Sequence, residues 1–306
     1  MRKANVCGLL IPCLIIACFV GSAAGGAQLA ARPTRETPAA FSDWNWEGQA
    51  TSYQGPLPWG ENPGVLSFLA KHGAPVLLAA FKAVLREPIG AEPFNIALAA
   101  EKLSGTILPP GAIFSQNQTI GPYTAERGYR AGPTYMGNRY VTTVGGGVCK
   151  ISSLLYNVAL LSDLRVVERH PHSMTVPYVP PGQDATVYYG VRDFKFQNTT
   201  AAPVIIIAKF TDDTLYMALY GREKPQKIRW HHTILKRVPT WTEEHFDPSL
   251  PPGKKKVVMK GQEGIVVRSW LTVKIADRKV KRYDRGTDWY EPSPRIVVCG
   301  PRRIGP

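Results

Sequence analysis

The apolar positions of this chain change their period several times, and each change marks an element. Ile151, Leu154, Leu155, Val158 and Leu161 recur at the i, i+3, i+4, i+7 spacing that buries one face of a helix. At about 100° per residue, Cys149, Ser152, Ser153 and Tyr156 fall on the other side, so the pattern predicts a cysteine that points away from the core. Helical patterns also run over 65–72, 76–85 and 95–103. Pro109, Pro110 and Gly111 make a tight turn before a strand-like run at 112–115. Residues 121–140, rich in glycine and tyrosine, read as an ordered loop. The runs 203–210 and 215–220 flank Thr211-Asp212-Asp213-Thr214 and predict a hairpin. From 257 to 300, β-branched residues alternate with charge, the mark of a small all-β module. Helices followed by mostly antiparallel strands define an α+β fold.

The same pattern divides the chain. Arg2 and Lys3 precede an apolar run and then small residues up to Ala27, as in a secretory signal. Three fates fit residues 1–27: cleavage after Ser22-Ala23-Ala24, lipid attachment at Cys18, or retention as a membrane anchor. Residues 28–63 read as a linker whose Trp44, Trp46 and Trp59 pack onto the body. An α+β domain covers 64–221, a polar linker 222–256, and the β module 257–306. His231, His232 and His245 fall in the second linker without ligand-like spacing and read as solvated.

Charge narrows the partners. With 37 Lys and Arg against 23 Asp and Glu, the formal charge is +14, which suits nucleic acid, anionic membrane or an acidic wall polymer. An export signal removes nucleic acid and leaves the cell envelope, with contact to the membrane through the N-terminal segment. Cys7, Cys13 and Cys18 lie in that segment, so the exported body keeps only Cys149 and Cys299. Two cysteines are no disulfide framework. Cys299 ends an apolar run and reads as a buried strand residue.

Candidate chemistry gathers at Gly145-Gly146-Gly147-Val148-Cys149-Lys150, where the chain has its only glycine triplet. A thiol at a helix N-terminus beside a cation ionises more readily. Downstream, Pro171 favours extended backbone at His170, which puts His170 and His172 on one face. That arrangement admits a cysteine nucleophile with a histidine base, a zinc site of both histidines and the thiolate, or a cysteine that only packs. The reading adopted needs no metal and no cofactor.

With those motifs in view, residues from about 94 to 220 resemble the VanW family of bacterial envelope proteins, first associated with glycopeptide-resistance clusters. The resemblance rests on Pro110-Gly111 with Phe114-Ser115, Gly121-Pro122 with Thr124-Ala125-Glu126-Arg127-Gly128-Tyr129, Gly145-Gly146-Gly147-Val148-Cys149, His172-Ser173, and Asp184-Ala185-Thr186-Val187. The tail resembles the wall-associated G-five domain at Gly261, Gly264, Tyr290, Pro292 and Gly300. Lys150 departs from the glutamine usual in the family. The resemblance implies peptidoglycan cross-linking of the L,D-transpeptidase kind, with stem peptides and anionic wall polymers as partners. Cys149 is then the nucleophile and His172 the base, with His170 second. Asp184 orients the ring, with Asp193 its rival. Gly145, Gly146, Gly147, Ser152 and Tyr156 bind the oxyanion or substrate. A non-catalytic wall-binding protein is the alternative.

Overall fold

The computed structural model describes residues 48–50, 52–85, 88–136, 139–276 and 279–302. The expected signal or anchor, with Cys7, Cys13 and Cys18, and the expected packing of Trp44 and Trp46 lie outside those residues. Among the described residues, no helix is long and apolar enough to cross a membrane.

The first half builds around one antiparallel sheet. Its strands are β2 (Val76–Val84), β10 (Thr214–Gly221), β9 (Val204–Thr211) and β3 (Thr106–Leu108), in that spatial order. The β9–β10 hairpin turns through Asp212 and Asp213, both at positive φ, which Asp tolerates better than most residues. Two helices pack on this sheet, α2 (Glu92–Leu103) and α4 (Cys149–Leu161), while α1 (Pro63–Lys71) starts at an Asn62 cap. A smaller sheet orders β4 (Ile113–Ser115), β8 (Lys195–Gln197) and β7 (Arg165–Glu168), with the short α3 (Gln116–Ile120) directly after β4.

Several expectations need correction. The helix expected over 76–85 is instead the strand β2, Val76–Val84. Leu78, Ala79 and Ala80 are consecutive buried residues of a strand paired with β10, and such an apolar run has no period to separate it from a buried helix. The expected loop at 121–140 contains a 3-10 turn, Ala125–Arg127, and most of the hairpin of β5 (Ala131–Met136) and β6 (Arg139–Val144). Nor is α4 amphipathic in the sense expected: every residue from Lys150 to Leu161 is buried.

The second half is all β. One antiparallel sheet orders β1 (Gly48–Ala50), β11 (Ile228–Val238), β14 (Gly264–Ala276) and β15 (Lys279–Tyr290). In the other, β16 (Arg295–Cys299) lies between β12 (Thr242–Phe246), parallel to it, and β13 (Lys255–Met259), antiparallel. Residues 222–256 are therefore not a linker, because they carry β11 and β12. The tail module begins before residue 257. Neither is the described part of 28–63 a free linker, since β1 pairs with β11 and buried Trp59 donates from Nε1 to the Tyr220 hydroxyl at 2.9 Å. His232 is buried, and His231 stacks on Trp270 with centroids 5.4 Å apart, which corrects the solvated reading of both. His245 does stay exposed, beside Glu243.

The two halves share a core. Ile228, Trp230, Leu271 and Val273 of the β half join one apolar cluster with α2, α4 and the first sheet. Trp230 meets Tyr156 of α4 edge to face at 5.1 Å. The fold as a whole is α+β.

Candidate active site

The glycine triplet is a tight packing device that launches α4. Gly145 and Gly147 take φ of 82° and 101°, where a side chain is strained. A Cβ on Gly146 would stand 2.2 Å from the Gly132 carbonyl group, so only glycine lets the two backbones touch. Asn95 of α2 locks the turn by donating to the carbonyls of Arg130 at 2.8 Å and Gly146 at 2.9 Å. The helix then starts at Cys149 with no side chain capping it.

The polar stripe of α4 exists, but a chain segment covers it. Ser152 and Ser153 both donate to the Ala185 carbonyl, at 2.7 and 3.1 Å, and the Ala185 amide donates back to Ser153 at 2.9 Å. Asn157 donates to the Gln183 carbonyl at 2.8 Å. These side chains supply what a neighbouring strand would otherwise give, since buried backbone groups need partners. The result is that residues 183–187 run along α4 and deliver Asp184, Thr186 and Val187 to the cysteine.

Cys149 is half-buried and free. Its Sγ lies 3.5 Å from Thr186 Oγ1 and 3.6 Å from the Val187 carbonyl oxygen, and the His172 imidazole is near enough for each of the two groups to shift the other's pKa. His172 is buried, and its Nδ1 is 2.6 Å from Asp184 Oδ2. Thiol, imidazole and carboxylate thus stand in the order that a nucleophile, its base and an orienting group would take.

The electrostatics of the three agree. Burial raises the Cys149 pKa, but the hydrogen bond and charge of His172, a backbone hydrogen bond at Val187 and the Thr186 hydroxyl outweigh it, so the thiol ionises below its usual range. Burial works against the His172 imidazolium too. Asp184 and Cys149 overcome it and push the ring up to about 9. Asp184, despite burial, is held at about 2 by the hydrogen bond from His172 and the charge of Arg169. A thiolate beside an imidazolium, steadied by a carboxylate, is the state this geometry favours.

Other expected residues are placed elsewhere. His170 turns away: its carbonyl accepts from the Thr186 amide at 2.8 Å, while its half-exposed ring meets Glu168 at 3.1 Å. It does not share a face with His172, so the chain does not bring both rings to the thiol. Asp193 accepts from Ser115 Oγ and the Asn117 amide, at 2.5 and 3.0 Å, and so serves the start of α3. Tyr156 is core, packed on Phe194 and Trp230. Ser152 is fully buried, and Gly145 and Gly146 are sealed. Of the expected binding group, Gly147 alone keeps partial exposure.

Sequence reasoning missed the groups around the relay. Arg169 donates from Nε to the Asp184 carbonyl at 2.8 Å and from Nη2 to Asp184 Oδ1 at 3.1 Å. Its Nη1 lies 2.7 and 2.8 Å from the two carboxylate oxygens of Asp288. The Tyr290 hydroxyl donates to Asp184 Oδ1. Beside Cys149, the ammonium of Lys150 pairs with buried Glu92 and sits 4.5 Å from the Tyr178 ring centroid. Adjacency of Arg169 to the histidine pair was the one local signal available.

Residues 92–220 match the family model described as VanW like protein, and residues 231–302 match the G5 domain. The chain is thus a VanW-like domain followed by a G5 domain, the pairing of a cell-envelope protein. It is similar to YoaR of Bacillus subtilis (strain 168), 39% identical over 129 residues that make up 42% of this chain and 43% of that protein. It is also similar to the vancomycin B-type resistance protein VanW of Enterococcus faecalis (strain ATCC 700802 / V583). There the identity is 29% over 140 residues, 44% of this chain and 51% of that protein. The match therefore spans about half the length of these relatives. Among solved structures, the IgA1 protease G5 domain aligns at 22% identity and TM-score 0.18, covering 26% of this chain and 98% of that one.

Proposed function

We propose that this protein is a cysteine acyltransferase of the cell envelope that acts on peptidoglycan stem peptides in the L,D-transpeptidase manner. The observation that carries the reading is the relay of Cys149, His172 and Asp184, with the thiol depressed and the ring raised.

In this reaction the Cys149 thiolate attacks the carbonyl carbon that joins the third residue of a tetrapeptide stem to its terminal D-amino acid. A C–S bond forms, the C–N bond breaks, and the imidazolium of His172 gives its proton to the departing amine. The amides of Gly147 and Cys149, at the uncapped start of α4, receive the oxyanion. A side-chain amine of a second stem then attacks the thioester, His172 takes up the proton, and the thiolate leaves. Water in place of the amine gives trimming rather than cross-linking.

A second reading, a non-catalytic wall-binding accessory, draws on the G5 domain and the charge of +14. One experiment separates them. Purified protein is incubated with disaccharide tetrapeptides, and the muropeptides are resolved by chromatography and mass. Acyl transfer gives cross-linked dimers or tripeptides with wild type and none with Cys149→Ala. Unchanged muropeptides with both proteins, or conversion that persists in Cys149→Ala, contradicts it.

A further inference from the structure

We infer that the G5 domain of this chain belongs to the frame of the active site, with Tyr290 and Asp288 acting as positioning residues for the His172–Asp184 pair. The inference rests on the cysteine chemistry proposed above, and it gives the domain a second role beside any wall contact.

Four observations carry it. First, Asp184 is held from two sides. Its Oδ2 accepts from the ring and the amide of His172, at 2.6 and 2.7 Å, and its Oδ1 accepts from Arg169 and from Tyr290. Tyr290 closes β15, is 1% exposed, and its hydroxyl also accepts from the Gly182 amide at 2.7 Å. One hydroxyl therefore fixes both the carboxylate and the backbone two residues before it. A carboxylate anchored through one oxygen cannot swing its other oxygen away from an imidazole.

Second, Asp288 fixes Arg169. The guanidinium is buried between two carboxylates, and only the one at Asp288 comes from the β half. Third, the loop that bears His172 is pinned through its backbone carbonyls on its far side: the Glu291 amide donates to the Ser173 carbonyl at 2.6 Å, and the Gln262 side-chain Nε2 to the Thr175 carbonyl at 3.2 Å. Fourth, Trp230 of β11, the strand that leads into the G5 domain, packs on Tyr156 of the helix that begins at Cys149. The two segments that supply His172 and Asp184 thus touch the G5 domain, and the helix that supplies Cys149 touches the strand that enters it.

A tether that only binds wall has no need of these contacts. Buried polar groups are costly unless fully satisfied, and here satisfaction of the relay crosses from one domain to the other. The charged and titratable groups around the relay and its frame are Tyr123, Tyr178, Glu92, Arg169, Asp288, Arg285 and Tyr156. Losing Tyr290 changes none of those charges. It removes a hydrogen bond to an ionised group, and with it the aim of the carboxylate.

The test uses the full chain with Tyr290→Phe, and Asp288→Asn as a second variant that leaves the buried ring in place. Three quantities are read: the pH profile of Cys149 alkylation by iodoacetamide, kcat and KM for tetrapeptide conversion, and Tm. Tyr290→Phe is expected to slow alkylation near neutral pH and move its midpoint upward. It is also expected to lower kcat by about tenfold, the size of one lost hydrogen bond to a charged group, with KM unchanged. Asp288→Asn is expected to lower kcat at unchanged KM and carries the test if Tyr290→Phe does not fold. Folded variants whose alkylation profile and kcat superimpose on wild type overturn the inference. If the profile shifts while wild type converts no muropeptide, the frame stands and the acyl-transfer reading fails. An active wild type with indifferent variants does the reverse: acyl transfer stands and the frame falls.

Discussion

One oxygen of Asp184 holds His172 twice, accepting from ring Nδ1 at 2.6 Å and from the backbone amide at 2.7 Å. The double contact settles two things at once. It fixes where the ring sits relative to its own backbone, and it keeps the proton on Nδ1, so that Nε2 is the nitrogen left for Cys149.

Asp184→Asn tests that relationship. An amide can offer Nδ1 a donor in place of an acceptor, which favours the wrong tautomer. Turnover is expected to fall by about a thousandfold or more, as for the loss of a triad carboxylate. Iodoacetamide alkylation of Cys149 is expected to slow with it, measured on protein shown folded by circular dichroism.

The pH dependence has a definite sign. The Cys149 pKa is lowered while that of His172 is raised to about 9, so thiolate and imidazolium coexist below the ordinary thiol range. Alkylation at neutral pH is expected to outpace a free thiol, and His172→Gln to return it to ordinary thiol behaviour. Acyl transfer also needs the imidazolium proton, so its rate is expected to fall as pH rises through about 9.

Asp184 contributes the acid limb of stability. Its pKa is lowered from 3.8 to about 2, so the stabilisation is fully present above 3.8 and is lost as pH falls through about 2. A Tm series from pH 6 to pH 2 is expected to drop steeply at its acid end. Asp184→Asn, already destabilised at pH 6, is expected to lose less further stability over the same range.

Lys150 and Glu92 form a buried ion pair with side chains 8% and 10% exposed. Lys150→Gln strands the Glu92 carboxylate and is expected to cost about 3 kcal/mol in urea unfolding. Adding Glu92→Gln removes the stranded charge and is expected to restore most of the loss.

Ser153 both donates to and accepts from Ala185. Ser153→Ala leaves that buried amide without its acceptor, a cost of about 1–3 kcal/mol. Because residues 183–187 carry Asp184 to the ring, alkylation of Cys149 is expected to slow as well.

How much of this is legible in the sequence depends on distance along the chain. The glycine triplet, α4 and Cys149 are local features of one stretch, and period plus glycine chemistry find them. Asp184 and His172 are legible through family motifs, but the choice between His170 and His172 needs the carboxylate, which alone decides which ring turns inward. The polar stripe of α4 suggests an outward face, yet it is matched to backbone from residues 183–185, a partner no helical wheel contains. β15 leaves little trace, because an edge strand can carry charges such as Lys281, Arg282 and Asp284 without apolar alternation. Tyr290 and Asp288 lie 106 and 119 residues from Asp184 and Arg169, so nothing local reveals that one domain completes the relay of the other.

The central claim is that Cys149 is an activated nucleophile toward a stem peptide, and intact-protein mass after incubation with a tetrapeptide stem tests it most directly. The expected result is an increment equal to the stem less its terminal D-amino acid, mapped to the peptide containing Cys149 and absent from Cys149→Ala. A folded wild-type protein that gains no mass, or an adduct that survives in Cys149→Ala, contradicts the claim.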